Sequence, residues 1–183
     1  MILWYLVIFA ILVYLVFLRE DPVQKNKILE FITKCNPSQA KEIYEAIEEH
    51  RKGFPVELIA ALIYSESTFD PGALGDIDSK GLGQVSTPAL DEIERYYKIT
   101  VDRDRVYEID YNVYLTGLFL YRAKIAALPY HKELYLYYRA LLTYKNWLTW
   151  AEYTYTLADR AWVVYNDLKY GYQKYGRKVG DVH

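Results

Sequence analysis

The stretch that decides the fold is Ala61-Leu-Ile-Tyr-Ser-Glu-Ser-Thr-Phe-Asp-Pro-Gly-Ala73. Apolar residues recur just upstream at the spacing of one helix face: Val56, Ile59, Ala60 and Ile63. Pro55 suits the first position of that helix. The helix is expected to end near Thr68, because the Asp70-Pro71-Gly72 turn cannot continue it. Glu66 therefore falls in the last helical turn.

Glu66 is an acid at the helix end where the macrodipole is negative. Leu62 and Ile63, one turn earlier, make part of its surroundings apolar. Both effects disfavour the carboxylate and predict a raised pKa for Glu66. A general acid that keeps its proton near neutral pH needs such a position. The alternative is a solvated glutamate at a frayed helix end, as is common for acidic residues.

A glycine-rich loop follows the Glu66 helix. It holds four of the nine glycines of the chain: Gly72, Gly75, Gly81 and Gly83. Such a loop allows the backbone to approach a ligand closely or to fold tightly over a cleft. Ser86 or Thr87, just before Pro88, is a typical N-cap for the next helix.

These segments resemble the soluble lytic transglycosylase family, which is related to the goose-type lysozymes. Glu66-Ser-Thr-Phe-Asp-Pro-Gly-Ala73 is similar to the family pattern Glu-Ser-x-Phe-Asn/Asp-Pro-x-Ala, and Gly81-Leu-Gly-Gln84 to Gly-Leu-Met-Gln. Asp110-Tyr-Asn-Val113 with Gly117 is similar to the family's Asn-x-x-x-x-Gly helix, and Ala140-Leu-Leu-Thr-Tyr144 to its Ala-Leu-Ala-Ala-Tyr-Asn motif. The resemblance covers roughly residues 54–165.

Two positions depart from the family pattern. Gly83 replaces the usual methionine, and Lys145 with Asn146 stands where Tyr-Asn is expected.

The resemblance implies a one-carboxylate reaction on peptidoglycan that needs no cofactor. Glu66 would protonate the glycosidic oxygen between N-acetylmuramic acid and N-acetylglucosamine. It would then act as a base on the muramic 6-hydroxyl, which closes a 1,6-anhydro ring. Tyr144 is expected near Glu66, orienting it. The implied substrate-binding residues are Ser67, Gln84, Tyr144 and Asn146, and the implied loop-supporting residues are Phe69, Gly81 and Asn112.

Two other functions remain open. A hydrolytic muramidase of the same fold would need a second carboxylate to activate water, for which Asp76 or Asp78 is available. Asp70 is expected to structure the loop through its own backbone rather than to catalyse. A non-enzymatic assembly or structural membrane protein that retains the scaffold is the other alternative.

Composition limits the remaining classes of function. The 183 residues carry a formal net charge of −2, with a pI near 6.0 and no basic cluster, which argues against nucleic-acid binding. Cys35 is the single cysteine, so no intramolecular disulfide can form. The three histidines, His50, His131 and His183, lack the close spacing of zinc ligands, so no metal site is expected.

Residues 1–18 contain no charged side chain. As a helix they would reach ~27 Å, near the ~30 Å thickness of the hydrocarbon core, so we expect a single-pass membrane anchor. Three basic residues follow this span: Arg19, Lys25 and Lys27. The positive-inside rule would place the next domain in the cytoplasm, whereas peptidoglycan cleavage requires the opposite side of the membrane.

The chain is expected to be all-α, because no stretch shows sustained strand alternation. We predict a transmembrane anchor over 1–20, a helical N-terminal extension over 21–53, a lysozyme-like domain over 54–175 and a polar tail over 176–183. The expected partners are peptidoglycan strands, the lipid bilayer, and a wall-crossing machine such as a secretion system, pilus or virion.

Overall fold

The computed structural model describes residues 22–127, 140, 141, 144 and 152–170. The described chain forms six α-helices, numbered here in chain order: α1 Pro22–Cys35, α2 Ala40–His50, α3 Val56–Ser67, α4 Thr87–Tyr97, α5 Ile109–Ala127 and α6 Glu152–Tyr170. It contains no β-strand, only isolated antiparallel bridges that join Lys80 to Leu74 and to Val85. The predicted all-α class is confirmed for this part of the chain.

Several sequence predictions lie outside the described residues. They are the membrane anchor over 1–18, the polar tail over 176–183 and the sugar-subsite residue Asn146. Within the described ranges, no helix combines the length and the apolar character needed to cross a membrane.

Helix α3 lies at the centre of the core. Every side chain from Leu58 to Ser65 is buried, and Val56 is buried as well. A helix that is apolar on all sides must be surrounded by other elements, and α6 packs along α3. Pro55 occupies the N-cap position of α3, with Val56 as the first helical residue, one position later than the sequence suggested.

Helices α1 and α2 share this core with the rest of the domain. Ile28 and Ile32 of α1 and Ile43 and Ile47 of α2 are buried in the same cluster as α3. Described residues from Ile28 to Leu168 therefore contribute to one hydrophobic cluster, on both sides of residue 53. A side-chain contact also joins α4 and α5, because Arg122 of α5 donates to the buried carboxylate of Glu92 on α4 at 2.8 Å.

Gly117 lets α5 approach the end of α2 very closely. A Cβ on Gly117 would lie 2.2 Å from the backbone oxygen of His50. The obstacle is backbone, which cannot rotate away as a side chain would. Helix α5 therefore needs a residue without a side chain at this position.

We predict that Gly117→Ala destabilises the protein by about 1–3 kcal/mol, the usual cost of overpacking. In an unobstructed helix the same change would stabilise the protein by up to ~1 kcal/mol. A loss of stability would therefore indicate the close contact with His50. The measurement is the free energy of unfolding in urea. Gly72→Ala is the control, because its Cβ would meet only the Asp70 carboxylate at 3.4 Å. A more stable Gly117→Ala protein would contradict the close approach.

Candidate functional site

Glu66 lies in the last turn of α3, as predicted, and is half-buried. Leu62 and Ile63, one turn earlier, have no exposed surface, and the Oε1 atom of Glu66 is itself buried. The helix closes at Thr68, whose backbone is left-handed and whose N–H donates to the Tyr64 carbonyl at 3.0 Å. The carboxyl group of Glu66 is thus fixed at the edge of the core.

Phe69 anchors the chain immediately after α3. It is fully buried, although its φ of +63° places it in the left-handed region that side chains rarely adopt. Its ring meets Phe31 of α1 edge-on at 5.5 Å between centroids. Its carbonyl accepts a hydrogen bond from Asn36 Nδ2 at 2.9 Å. Two contacts from the end of α1 therefore fix the backbone that follows Glu66.

Ser67 and Asp70, on either side of Phe69, form hydrogen bonds with backbone groups of their own segment. The Ser67 hydroxyl is half-buried and donates to the Ile63 carbonyl at 3.3 Å, which leaves the oxygen lone pairs for another partner. Asp70 Oδ1 accepts from the Gly72 N–H at 2.8 Å, so the predicted turn-structuring role of Asp70 is confirmed.

Gln84 bonds to the glycine-rich loop itself. Its Nε2 donates to the carbonyls of Ala73 at 3.1 Å and Gly81 at 2.9 Å, which uses both amide protons. Its φ of +48° lies in the left-handed region, as do those of Thr68 and Phe69. Only its carbonyl oxygen therefore remains to accept from a sugar hydroxyl, and the predicted substrate-binding role of Gln84 stays a prediction.

Asn112 ties the loop to α5. It is 1% exposed, and its Oδ1 accepts from the Gly83 N–H at 2.9 Å. Its Nδ2 donates to the carbonyls of Lys80 at 3.0 Å and Val106 at 2.7 Å. Gly81 lies directly against this amide, since a Cβ there would be 2.3 Å from Nδ2 and its φ is +70°. One side chain thus satisfies three backbone groups, two of them in fully buried hydrogen bonds.

Tyr144 is buried between the loop and the core. Its hydroxyl donates to the Gly83 carbonyl at 2.8 Å, and its ring meets Phe119 edge-on at 4.9 Å. Burial and the negative charge of Glu66 raise the pKa of Tyr144 well above its usual value, whereas a hydrogen bond with Thr116 lowers it. The phenol is therefore within electrostatic reach of Glu66.

The two loop aspartates proposed for a hydrolase do not share the environment of Glu66. Asp76 and Asp78 are both exposed, in the 3-10 turn Asp76–Asp78. Asp78 accepts from the Thr87 hydroxyl at 3.0 Å and pairs with Lys80 at 3.3 Å. These two hydrogen bonds lower the pKa of Asp78, which makes it a weaker base.

A separate cleft of about 510 Å³ opens beside the loop. It is lined by Gln39, Glu42, Pro71, Gly72 and residues 107–110, and the Glu66 side chain is not part of its wall. Next to it, the ligand atoms of Glu49, His50 and Asp110 lie within 4.8 Å of one another, a group that could hold a metal ion. His50 Nε2 already contacts Asp110 Oδ1 at 2.7 Å, so a metal would have to displace this pairing.

Sequence reasoning missed the His50–Asp110 contact and Thr116. The contact joins residues 60 positions apart, so no local spacing could reveal it. Thr116 had a detectable signal, because it shares one buried stripe of α5 with Val113, Leu120 and Ala123. A hydroxyl on such a stripe needs a buried polar partner.

The chain matches no protein-family model, and no curated protein matches it. The resemblance to the lytic transglycosylases accordingly rests on the sequence motifs alone.

We predict that Asn112→Asp destabilises the protein by about 2–4 kcal/mol, because its carboxylate would face two buried carbonyls without a donor. The free energy of unfolding in urea measures this loss. Amide exchange of residues 80–85 should accelerate as well, because the loop loses its anchor.

Asn166→Asp is the matched control. Asn166 donates only to the Trp162 carbonyl within its own helix α6 and is half-buried, so its replacement should cost less. Equal losses for the two variants would contradict the role assigned to Asn112.

Proposed function

We propose that the protein is a membrane-anchored lytic transglycosylase that cleaves the β-1,4 bond between N-acetylmuramic acid and N-acetylglucosamine in peptidoglycan. The observation that carries the proposal is the position of Glu66 in the last turn of α3, where its Oε1 is buried and its charge raises the pKa of Tyr144. The motifs that resemble the family supply the reaction type.

In this proposal Glu66 is the general acid. Its Oε1 atom is buried, and Leu62 and Ile63, one turn earlier in α3, have no exposed surface. In the proposed reaction the Glu66 proton passes to the leaving glycosidic oxygen. The resulting carboxylate then takes the proton of the muramic 6-hydroxyl as that oxygen attacks the anomeric carbon.

The loop provides a rigid wall beside this acid. Asn112 and Tyr144 hold Gly83 from both sides, through its N–H and its carbonyl. A fixed wall keeps the sugar and Glu66 in reacting geometry, and such positioning supplies much of the barrier reduction in enzymes. Ser67 and Gln84, at the end of α3 and in the loop, would contact the sugar.

Hydrolysis with Asp76 or Asp78 is less well supported. Asp78 is bound by Thr87 and Lys80 and its pKa is lowered, so it accepts a proton from water less readily. The two reactions differ in their products, because an anhydro-muropeptide lacks one water.

We predict that Glu66→Gln lowers the rate of muropeptide release by ~10²–10⁴-fold, the usual contribution of a general acid. The upper part of that range is expected, since one group serves as both acid and base. The measurement is mass spectrometry of products released from purified peptidoglycan by the full-length chain. The wild type should yield 1,6-anhydro ends.

Two controls accompany this variant. Glu57→Gln makes the same change in the first turn of α3, and Asp78→Asn removes the rival carboxylate; both should keep most of the activity. Release by Glu66→Gln at the wild-type rate would refute the mechanism. Hydrated products that disappear in Asp78→Asn would instead establish a muramidase.

The anchor is tested separately. We predict that residues 1–18 keep the full-length chain in the membrane fraction after a high-salt wash, because their apolar surface spans the hydrocarbon core. Ile8→Lys with Leu12→Lys should release it, since each lysine near the centre of a span costs ~2.5–3.5 kcal/mol. Recovery of the wild type in the wash would disprove the anchor.

A further inference from the structure

Three side chains that can ligate a metal meet where α2 ends and α5 begins. Glu49 and His50 lie in the last turn of α2, and Asp110 lies in the first turn of α5. One ligand atom of each residue lies within 4.8 Å of the ligand atoms of the other two. We call these three residues the α2–α5 cluster. Histidine spacing did not predict it, because it contains a single histidine and Asp110 follows His50 by 60 residues.

His50 is the most firmly held member of the cluster. Its side chain is 15% exposed, and its ring meets Tyr114 of α5 edge-on at 5.4 Å between centroids. Its backbone oxygen lies so close to Gly117 that a Cβ there would be 2.2 Å away. Packing between α2 and α5 therefore fixes the imidazole before any metal binds, as a preorganised site requires.

The spacing of the ligand atoms is close to that of a zinc site. His50 Nε2 and Asp110 Oδ1 are 2.7 Å apart. In a tetrahedral zinc site with bonds of about 2.0–2.1 Å, two ligand atoms lie about 3.3 Å apart. The Asp110 side chain is 64% exposed and Glu49 is exposed as well, so both carboxylates can rotate into place. Zinc would replace the proton that joins Nε2 to the carboxylate, as metal binding does at histidine.

The charges of the cluster favour a divalent cation. With His50 neutral, its two carboxylates carry two negative charges. The neighbouring acid Glu108 is paired with Arg105 at 2.7 Å. Among the residues that the structure describes, by contrast, Asp110 pairs with His50 alone and Glu49 forms no salt bridge. The negative end of the α2 dipole adds to the preference for a cation.

We propose that Glu49, His50 and Asp110 form a zinc-binding site that joins α2 to α5. One imidazole and two carboxylates supply three ligands, and a water completes the tetrahedral zinc ion. The imidazole selects against magnesium and calcium, which prefer oxygen ligands in greater number. Neither Glu66 nor the glycine-rich loop supplies a ligand, so the site does not depend on the proposed lytic activity.

The test titrates the chelator-treated full-length chain, in detergent, with zinc chloride in an isothermal titration calorimeter. We expect one zinc ion per chain. Asp110→Asn keeps the size of the side chain and an acceptor for His50 but removes the charge. It should lower zinc affinity by at least about 10-fold, since even the loss of a group that only orients a ligand costs that much. Glu49→Gln should lower it similarly, and both residues are exposed, so both variants should fold.

The midpoint of thermal unfolding provides a second measurement. In the wild type it should rise with zinc concentration, because zinc binds the folded chain in preference to the unfolded one. In His50→Gln, which removes the nitrogen ligand, this rise should disappear. Magnesium chloride at the same concentrations should leave the wild-type midpoint nearly unchanged.

Two control variants should bind zinc as the wild type does. Glu42→Gln makes the change of Glu49→Gln at an exposed acid of α2 outside the cluster. Cys35→Ser removes the single thiol of the chain, the other side chain with a high affinity for zinc.

Three results would overturn the site. They are a wild type that binds no zinc, an Asp110→Asn variant that binds it with unchanged affinity, and a midpoint that rises as much with magnesium as with zinc. Zinc binding that is lost in Cys35→Ser and kept in His50→Gln would assign the ion to the thiol and overturn it as well. A wild type that binds zinc but releases no muropeptides would refute the lytic function alone.

Discussion

The site depends on the hydrogen bonds that the side-chain amide of Asn112 makes with the loop. It is buried, and it satisfies one N–H and two carbonyls that belong to the loop and to the segment before α5. Buried backbone groups without a partner cost roughly 1–3 kcal/mol each. No apolar side chain could satisfy them, and an aspartate or a lysine offers only acceptors or only donors. The amide of Asn112 donates and accepts at once, so it can satisfy all three groups.

This dependence explains the different glycines of the loop. Gly81 lies against the Asn112 amide with a left-handed backbone, so both space and conformation exclude a side chain. Gly83 has its N–H held by Asn112 and its carbonyl by Tyr144, while Thr116 covers its α-carbon. Core residues thus contact the backbone of the loop directly. Side chains at Gly81 and Gly83 would prevent this contact.

Local sequence signals predicted the ends of helices well and long-range contacts poorly. The end of α3 followed from Asp70-Pro71-Gly72, because a turn with proline breaks a helix wherever it occurs. The turn role of Asp70 was predictable for the same reason, since its partner Gly72 is two residues away. The partner of Tyr144, by contrast, lies 61 residues away in the loop. Which carbonyl a buried phenol meets is decided by packing of the helices, and the periodicity of one helix does not contain that information.

Two sets of contacts fix the chain that follows Glu66. Phe69 is fixed by the ring of Phe31, which belongs to α1, and by the amide of Asn36, which follows α1 directly. The glycine-rich loop is fixed separately, by Asn112 on α5. The left-handed backbones of Thr68 and Phe69 are unfavourable for residues with side chains. The contacts of Phe69 with Phe31 and Asn36 must therefore compensate for this strain. Residues before position 54, which resemble no part of the motif family, therefore help to place the acid. The hydrophobic core that surrounds Glu66 therefore includes helices α1 to α6, and not only the segment that carries the motifs.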